Sequence, residues 1–260
     1  MDDAKVEAFR ALHVPGDPLV LFNIWDAGSA KVVAEAGAKA IATGSYGVAE
    51  AQGFKDGEGF PLDRALEVLR GVLGVTDLPV TFDMESGYGL DPEAVGRSVM
   101  AARRAGAVGI NMEDRMPGMT ELTPVDEQVK RIEAAALTGI FVNARCDVFR
   151  GKPAESHGKE LTAQLLERAG AYADAGASGL FVPFTTNRAC LAEICEKSPL
   201  PVNIIWTPAE LGGFSSRQEL ADLGAARISH GHRPWAAAMD WLGAAARAVL
   251  AGGPPPYDRG

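Results

Sequence analysis

The chain is poor in the residues that announce a disulfide scaffold, a zinc centre or a membrane span. Its only cysteines, Cys146, Cys190 and Cys195, show no C-x-x-C spacing, and an odd count fits a reducing compartment. No run of about 18 apolar residues occurs, so no membrane-spanning helix is expected. The first residues, MDDAKVEAFRALH, are acidic and amphipathic and lack the basic start and apolar centre of a secretory signal. Cationic residues are outnumbered: 25 Lys and Arg against 34 Asp and Glu leave a net charge of −9, which argues against nucleic acid as a partner. Neither G-x-G-x-x-G nor G-x-x-x-x-G-K-[ST] follows the first apolar run, where the turn reads NIWDAGSAK; the usual mark of a nucleotide-binding open sheet is missing. No apolar run ends in a lysine, which disfavours Schiff-base chemistry. A cytoplasmic protein of ordinary globular composition, 47% hydrophobic and 23% charged, is the expectation.

What is present is a rhythm. Eight apolar runs fall at 18–24, 39–45, 78–84, 108–114, 140–146, 179–184, 201–207 and 226–231. Each leads into a stretch of helical periodicity or a loop before one. Three AGA triplets and one LGA stand between a helix and the next strand, where glycine suits the helix end. Ser216 with Glu219 reads as a capping box, and Thr123-Pro124 as an N-cap followed by proline in the first turn. Eight strand–helix units in 260 residues predict one (β/α)8 barrel domain over residues 1–253 and a flexible proline-rich tail over 254–260.

In such a barrel the site forms at the C-terminal ends of the strands. Strand two ends in Thr43, Gly44, Ser45 and Tyr46, which with Asn203 on strand seven are candidates to face a substrate. Strand three ends in VTFDMESGYG, where Asp83 and Glu85 alternate and so point to one side of a continuous strand. Strand four ends in Glu113 and Asp114. Acids crowded on neighbouring strands repel, and a hard oxygen-bound cation, Mg2+ or else Mn2+, would relieve them. Zinc is disfavoured, because no Cys/His set accompanies them. Arg145 ends an otherwise apolar strand; its fork suits a carboxylate or an oxyanion, or an ion pair with Glu113 or Asp83. His230 and His232 flank a glycine and would share one side if strand eight extended that far, as acid/base groups or as loop histidines bonded to backbone.

The final helix, PWAAAMDWLGAAARAVLAG, carries only Asp240 and Arg247 as charges between Trp235 and Leu250. Trp235, Met239, Leu242 and Leu250 form one apolar stripe while Trp241 and Val249 project elsewhere. A surface this wide predicts a covering subunit, in a dimer or tetramer, with the N-terminal helix or the tail as the other cover.

Four motifs in order resemble the isocitrate lyase/phosphoenolpyruvate mutase superfamily: GSYGVAEAQGFKDGE, TFDMESGYG, GINMED and ARCDVF. TFDMESGYG is similar to that family's D-x-D-x-G-Y-G metal motif, with Glu85 for the second aspartate. The resemblance implies that Asp83 binds Mg2+ directly and that Glu85 and Glu113 contact it through water. It implies that Gly44 and Ser45 hold a substrate carboxylate, Arg145 an enolate oxygen, and that Asp56 rides a gating loop. It also implies final helices exchanged between paired subunits. The expected activity is Mg2+-dependent C–C cleavage of a small 2-hydroxy or 2-oxo dicarboxylate through a metal-bound enolate, with Arg145, Asp56 and His230 catalytic. Oxaloacetate decarboxylation, C–C or C–P hydrolysis and non-catalytic binding of a 2-oxo acid are the alternatives. The segment after strand four, DRMPGMTELTP, lacks the cysteine of the isocitrate and methylisocitrate lyase loop and the lysine of the mutases, and Pro183 stands where the mutases carry histidine.

Overall fold

The computed structural model describes residues 3–257. Its strands are β1 (Leu19–Leu21), β2 (Asn23–Ile24), β3 (Ile41–Thr43), β4 (Val80–Asp83), β5 (Gly109–Glu113), β6 (Phe141–Arg145), β7 (Gly179–Val182), β8 (Val202–Ile205) and β9 (Arg227–Ser229). All pairings between these strands are parallel, in the order β1-β9-β8-β7-β6-β5-β4-β3-β2. The nine segments make eight staves: the first breaks at Phe22, so that Leu19–Leu21 pairs with β9 and Asn23–Ile24 with β3. That continuity of chain closes the (β/α)8 barrel.

The helices are α1 (Asp3–Ala11), α2 (Ala27–Glu35), α3 (Ser45–Ala51), α4 (Leu62–Leu73), α5 (Pro92–Ala105), α6 (Val125–Ala136), α7 (Lys159–Asp174), α8 (Arg188–Lys197), α9 (Arg217–Asp222) and α10 (Arg233–Leu250). Each amphipathic helix buries one stripe on the staves; in α4 these are Ala65, Leu66, Leu69 and Val72. α1 plugs the N-terminal mouth, where Val6 and Phe9 pack with Leu19, Leu21, Ala40, Ala42, Val108 and Phe141. Gly109 makes room for that plug, because a Cβ there would lie 2.9 Å from the Phe9 ring. The AGA turns behave as read: Gly106 caps α5 in a left-handed conformation at φ 117°.

Two capping expectations are corrected. Pro124, not Thr123, is the N-cap of α6, and the Thr123 hydroxyl has no partner. Ser216 does cap α9, but the Glu219 carboxylate bonds the Ser215 amide and hydroxyl, so the box is offset by one residue. α10 runs along the surface with only Pro234 and Ala245 buried. The end of the expected tail at 258–260 lies outside the described residues.

Candidate active site

The C-terminal ends of the strands surround a cavity of about 310 Å3. Asp83, Asp56 and Arg145 line it, with Gly44, Ser45 and Tyr46 from the turn into α3. A second lobe of similar size shares Ser45, Asp56 and Arg145 and adds Glu85 and Glu113. The acids and the arginine expected from the motifs therefore meet in one place. A larger apolar cavity, about 590 Å3, lies on the barrel flank against α2 and β1 and holds none of these groups.

Asp83 ends β4 with its Oδ2 accepting the Ser45 amide at 3.0 Å, while its own amide donates to the Thr43 hydroxyl at 2.9 Å. Thr43 is thus a buried support for Asp83 rather than a cavity wall, and the Ser45 amide is already engaged. Gly44 likewise donates its amide to the Ile24 carbonyl. Glu85 reaches the site by a route that strand alternation does not describe. β4 stops at Asp83; Glu85 sits in the following turn at φ 50°, a left-handed conformation costly for a residue with a Cβ. Its Oε2 accepts the Glu58 amide at 2.5 Å and its Oε1 the Tyr88 hydroxyl at 3.2 Å. Glu58 in turn accepts from the Ser86 hydroxyl and the Tyr88 amide. The loop that carries Asp56 is therefore latched onto the turn after β4.

Burial raises the carboxyl pKa of Asp83, Glu85 and Glu113, and neighbouring acids add to it: Glu85 is pushed up to about 8, helped by Asp56, and Glu113 to about 7 despite the opposing pull of Arg145. Arg145 donates from Nε and Nη2 to both oxygens of Asp147, at 2.7 and 2.9 Å, and its Nη1 meets Glu113 at 2.7 Å. Burial works against its charge, but Asp147 and Glu113 outweigh that and hold it above the usual arginine range. Asp147 is itself fixed from below: its amide donates to Asp114, a fully buried carboxylate that also accepts from Tyr172 at 2.7 Å and Arg168 at 3.2 Å.

Besides Thr43, two more expected site residues do not face the cavity. Asn203 is buried inside the barrel, accepting from the Ser229 hydroxyl at 3.1 Å. The His230 Nδ1 lies 3.2 Å from the Leu21 carbonyl, with its ring against Phe22 and Trp206. β9 ends at Ser229 and Gly231 turns left-handed, so the two histidines part; His232 lines the cavity instead. Trp206, at the end of the seventh apolar run, also lines it, as do Asn23, Asn111, Arg150, Phe184 and Ser229, which the sequence does not single out. Phe184 is the most distinctive. It holds φ 65°, and both Arg145 and Arg150 stack within 5.4 Å of its ring. No motif spacing marks such a residue.

Among the described residues no three His, Cys, Asp or Glu side chains form a ready-made metal cage. The donor set is carboxylate oxygen, which matches a hard cation that keeps much of its water and takes few direct protein ligands.

The family model for phosphoenolpyruvate phosphomutase matches residues 9–250. A solved structure of a candidate phosphonomutase from Burkholderia cenocepacia is 47% identical, superposes with a TM-score of 0.91, and the match covers 97% of this chain and 100% of that one. The 2-methylisocitrate lyase of Escherichia coli is 30% identical over 208 residues, 75% of this chain and 68% of the lyase. A phosphonopyruvate hydrolase solved with oxalate and Mg2+ shares the fold at 21% identity, with a TM-score of 0.82 over 98% of this chain and 90% of that one. With the motifs in order and the barrel built around them, this chain belongs to the phosphoenolpyruvate phosphomutase family.

Proposed function

We propose that the protein is a Mg2+-dependent lyase that cleaves a C–C bond in a small 2-hydroxy or 2-oxo dicarboxylate by way of an enolate. The observation that carries this reading is the convergence of Asp83, Asp56 and Glu113 with the Arg145 guanidinium at the strand ends. Asp83, Glu85 and Glu113 each resist ionisation in this setting, and such a group of carboxyls is what a divalent cation would stabilise. Asp83 would hold it, with Glu85 and Glu113 at hand. When bound, Mg2+ or Mn2+ withdraws charge from the oxygens of a 2-oxo acid and so favours its enolate.

The chain's own residues do the rest. Asp147 clamps two nitrogens of Arg145 and Glu113 engages a third, which fixes the guanidinium plane and leaves two of its five N–H donors for an enolate oxygen. The first turn of α3, at Ser45 and Tyr46, meets a substrate carboxylate. Asp56 and His232 stand at the mouth, where a proton must come and go. Phe181, Pro183, Phe184, Ile205 and Trp206 form an apolar wall that excludes water from the enolate.

A second reading, loss of CO2 from a 2-oxo dicarboxylate, is favoured by one observation: none of the three cysteines lines the cavity, and departing CO2 needs no acid to protonate it. Incubation of the protein and Mg2+ with C4–C7 hydroxy- and oxo-acids, followed by proton NMR, separates the two. Glyoxylate or succinate supports the lyase, and pyruvate with CO2 the decarboxylase. No turnover and no binding of oxalate in the presence of Mg2+ would overturn both.

The exposed apolar face of α10 supports a subunit partner. Among the described residues neither α1, which plugs the barrel, nor residues 254–257 cover it: Trp241, Leu242 and Leu250 stay exposed. The flank cavity lined by Leu12, Val14, Val20, Val32 and Val33 is a second apolar surface that a subunit partner would cover.

A further inference from the structure

Arg227, the first residue of β9, has no exposed surface. An arginine keeps its proton in proteins, and a lone buried charge is costly. Yet the hydrogen bonds of Arg227 go to neutral oxygens: Nε to Ser229 Oγ at 3.3 Å and Nη2 to Asn111 Oδ1 at 3.1 Å. Its Nη1 has no partner. Among the described residues no Asp or Glu stands within ion-pair distance of it, and the one acid whose charge it feels is Asp83, in the cavity above.

The two residues it holds are functional in position. Asn111 lies on β5, four staves round the barrel from β9, so the guanidinium spans the interior to the far wall. Asn111 and Ser229 both line the cavity. Ser229 passes the contact on to Asn203, and Asn111 also accepts from Asn143 at 2.9 Å. From beneath, the neighbouring ring of His13 adds no negative charge to cancel Arg227; its Nε2 is unpartnered. Propping up a floor does not require a cation, since replacing buried charge with apolar side chains of similar volume is often neutral or stabilising.

We infer that Arg227 is a positioning residue that acts through Asn111 and Ser229, and that its uncompensated charge makes the cavity floor select dianionic ligands. The inference rests on the reading of the cavity as a 2-oxo acid site. At an effective dielectric constant near 20, a unit charge about 10 Å away changes affinity roughly tenfold for each unit of ligand charge.

The test is calorimetric titration of the Mg2+-saturated protein with oxalate, a dianion, and oxamate, a monoanion of nearly the same shape. The variants are Arg227→Met, Arg227→Gln and Arg227→Lys. Arg227→Met and Arg227→Gln should each weaken oxalate about tenfold more than oxamate. Arg227→Lys should keep the wild-type ratio, and Arg227→Met should melt no lower than the wild type. Glutamine retains hydrogen-bonding capacity without charge, so it decides the matter even where the methionine variant does not fold. Equal loss for both ligands, or a glutamine variant with the wild-type ratio, overturns the charge and leaves the site reading standing. A wild-type protein that binds neither ligand overturns the site reading and the inference with it.

Discussion

His13 should make the fold sensitive to mild acid. It follows α1 and stacks on Phe141 at 4.4 Å, edge-on to Phe9, with its Nδ1 donating to the Phe9 carbonyl at 2.9 Å. Burial first, and then the charge of Arg227, lower its pKa from 6.5 to about 3. The folded state therefore keeps the ring neutral while the unfolded chain takes up a proton below pH 6.5. A depressed value contributes stability that is present above the unfolded pKa and lost as the pH falls. Each pH unit in that window is worth at most about 1.4 kcal/mol. From pH 7.5 to pH 5 the loss assigned to this one ring is about 2 kcal/mol, a sizeable part of a typical domain's stability.

Glu85 and Glu113 act in the opposite sense. Their values are raised, so their contribution is present at low pH and is lost as the pH rises through about 7 to 8. The raw wild-type curve mixes both signs, and the informative quantity is a difference. Urea denaturation of the wild type and of His13→Gln, from pH 7.5 to 5, should give curves that converge by about 2 kcal/mol on acidification, because glutamine does not titrate. The constant offset from altered packing drops out. Parallel curves would mean that His13 protonates freely in the folded barrel, and the packing argument would fail.

Other outcomes follow from the cavity. Asp83→Ala should abolish Mg2+ binding by calorimetry and any turnover; full activity in excess EDTA would remove the metal from the proposal. Arg145→Lys should lower kcat by about 10²–10³, since an ammonium cannot bond both oxygens of Asp147 and still reach an oxyanion; activity within a few-fold of wild type would refute that role. The segment 53–59 should be protected from protease when oxalate and Mg2+ are added, through the Glu58 latch on Glu85 and Tyr88, and unchanged cleavage would count against a lid. Trp241→Glu combined with Val249→Glu should shift the protein to smaller species in light scattering, as Trp241 is 55% exposed on α10. A wild-type monomer at micromolar concentration would end the assembly claim.

The barrel was legible because its cues are local. Apolar runs, glycine at helix ends and helical periodicity each report on a few residues, and the eight staves fall inside the expected runs. The same locality explains the misses. Strand alternation pairs Asp83 with Glu85, yet the strand ends at Asp83, and a left-handed turn bonded to Glu58 brings Glu85 near by another path. His230 and His232 part because Gly231 turns the chain where an extended strand was assumed. Arg227 stands in ARISHG beside Ser229 and His230, and nothing in that run says that its side chain crosses the barrel to Asn111. Its burial exists only once β9 has closed against β1, which joins segments some two hundred residues apart. The motif acids were readable because their chemistry is borne by residue type. The support beneath them, Asp114 under Asp147 under Arg145 and Arg227 under Asn111 and Ser229, is borne by geometry that exists only in the closed barrel.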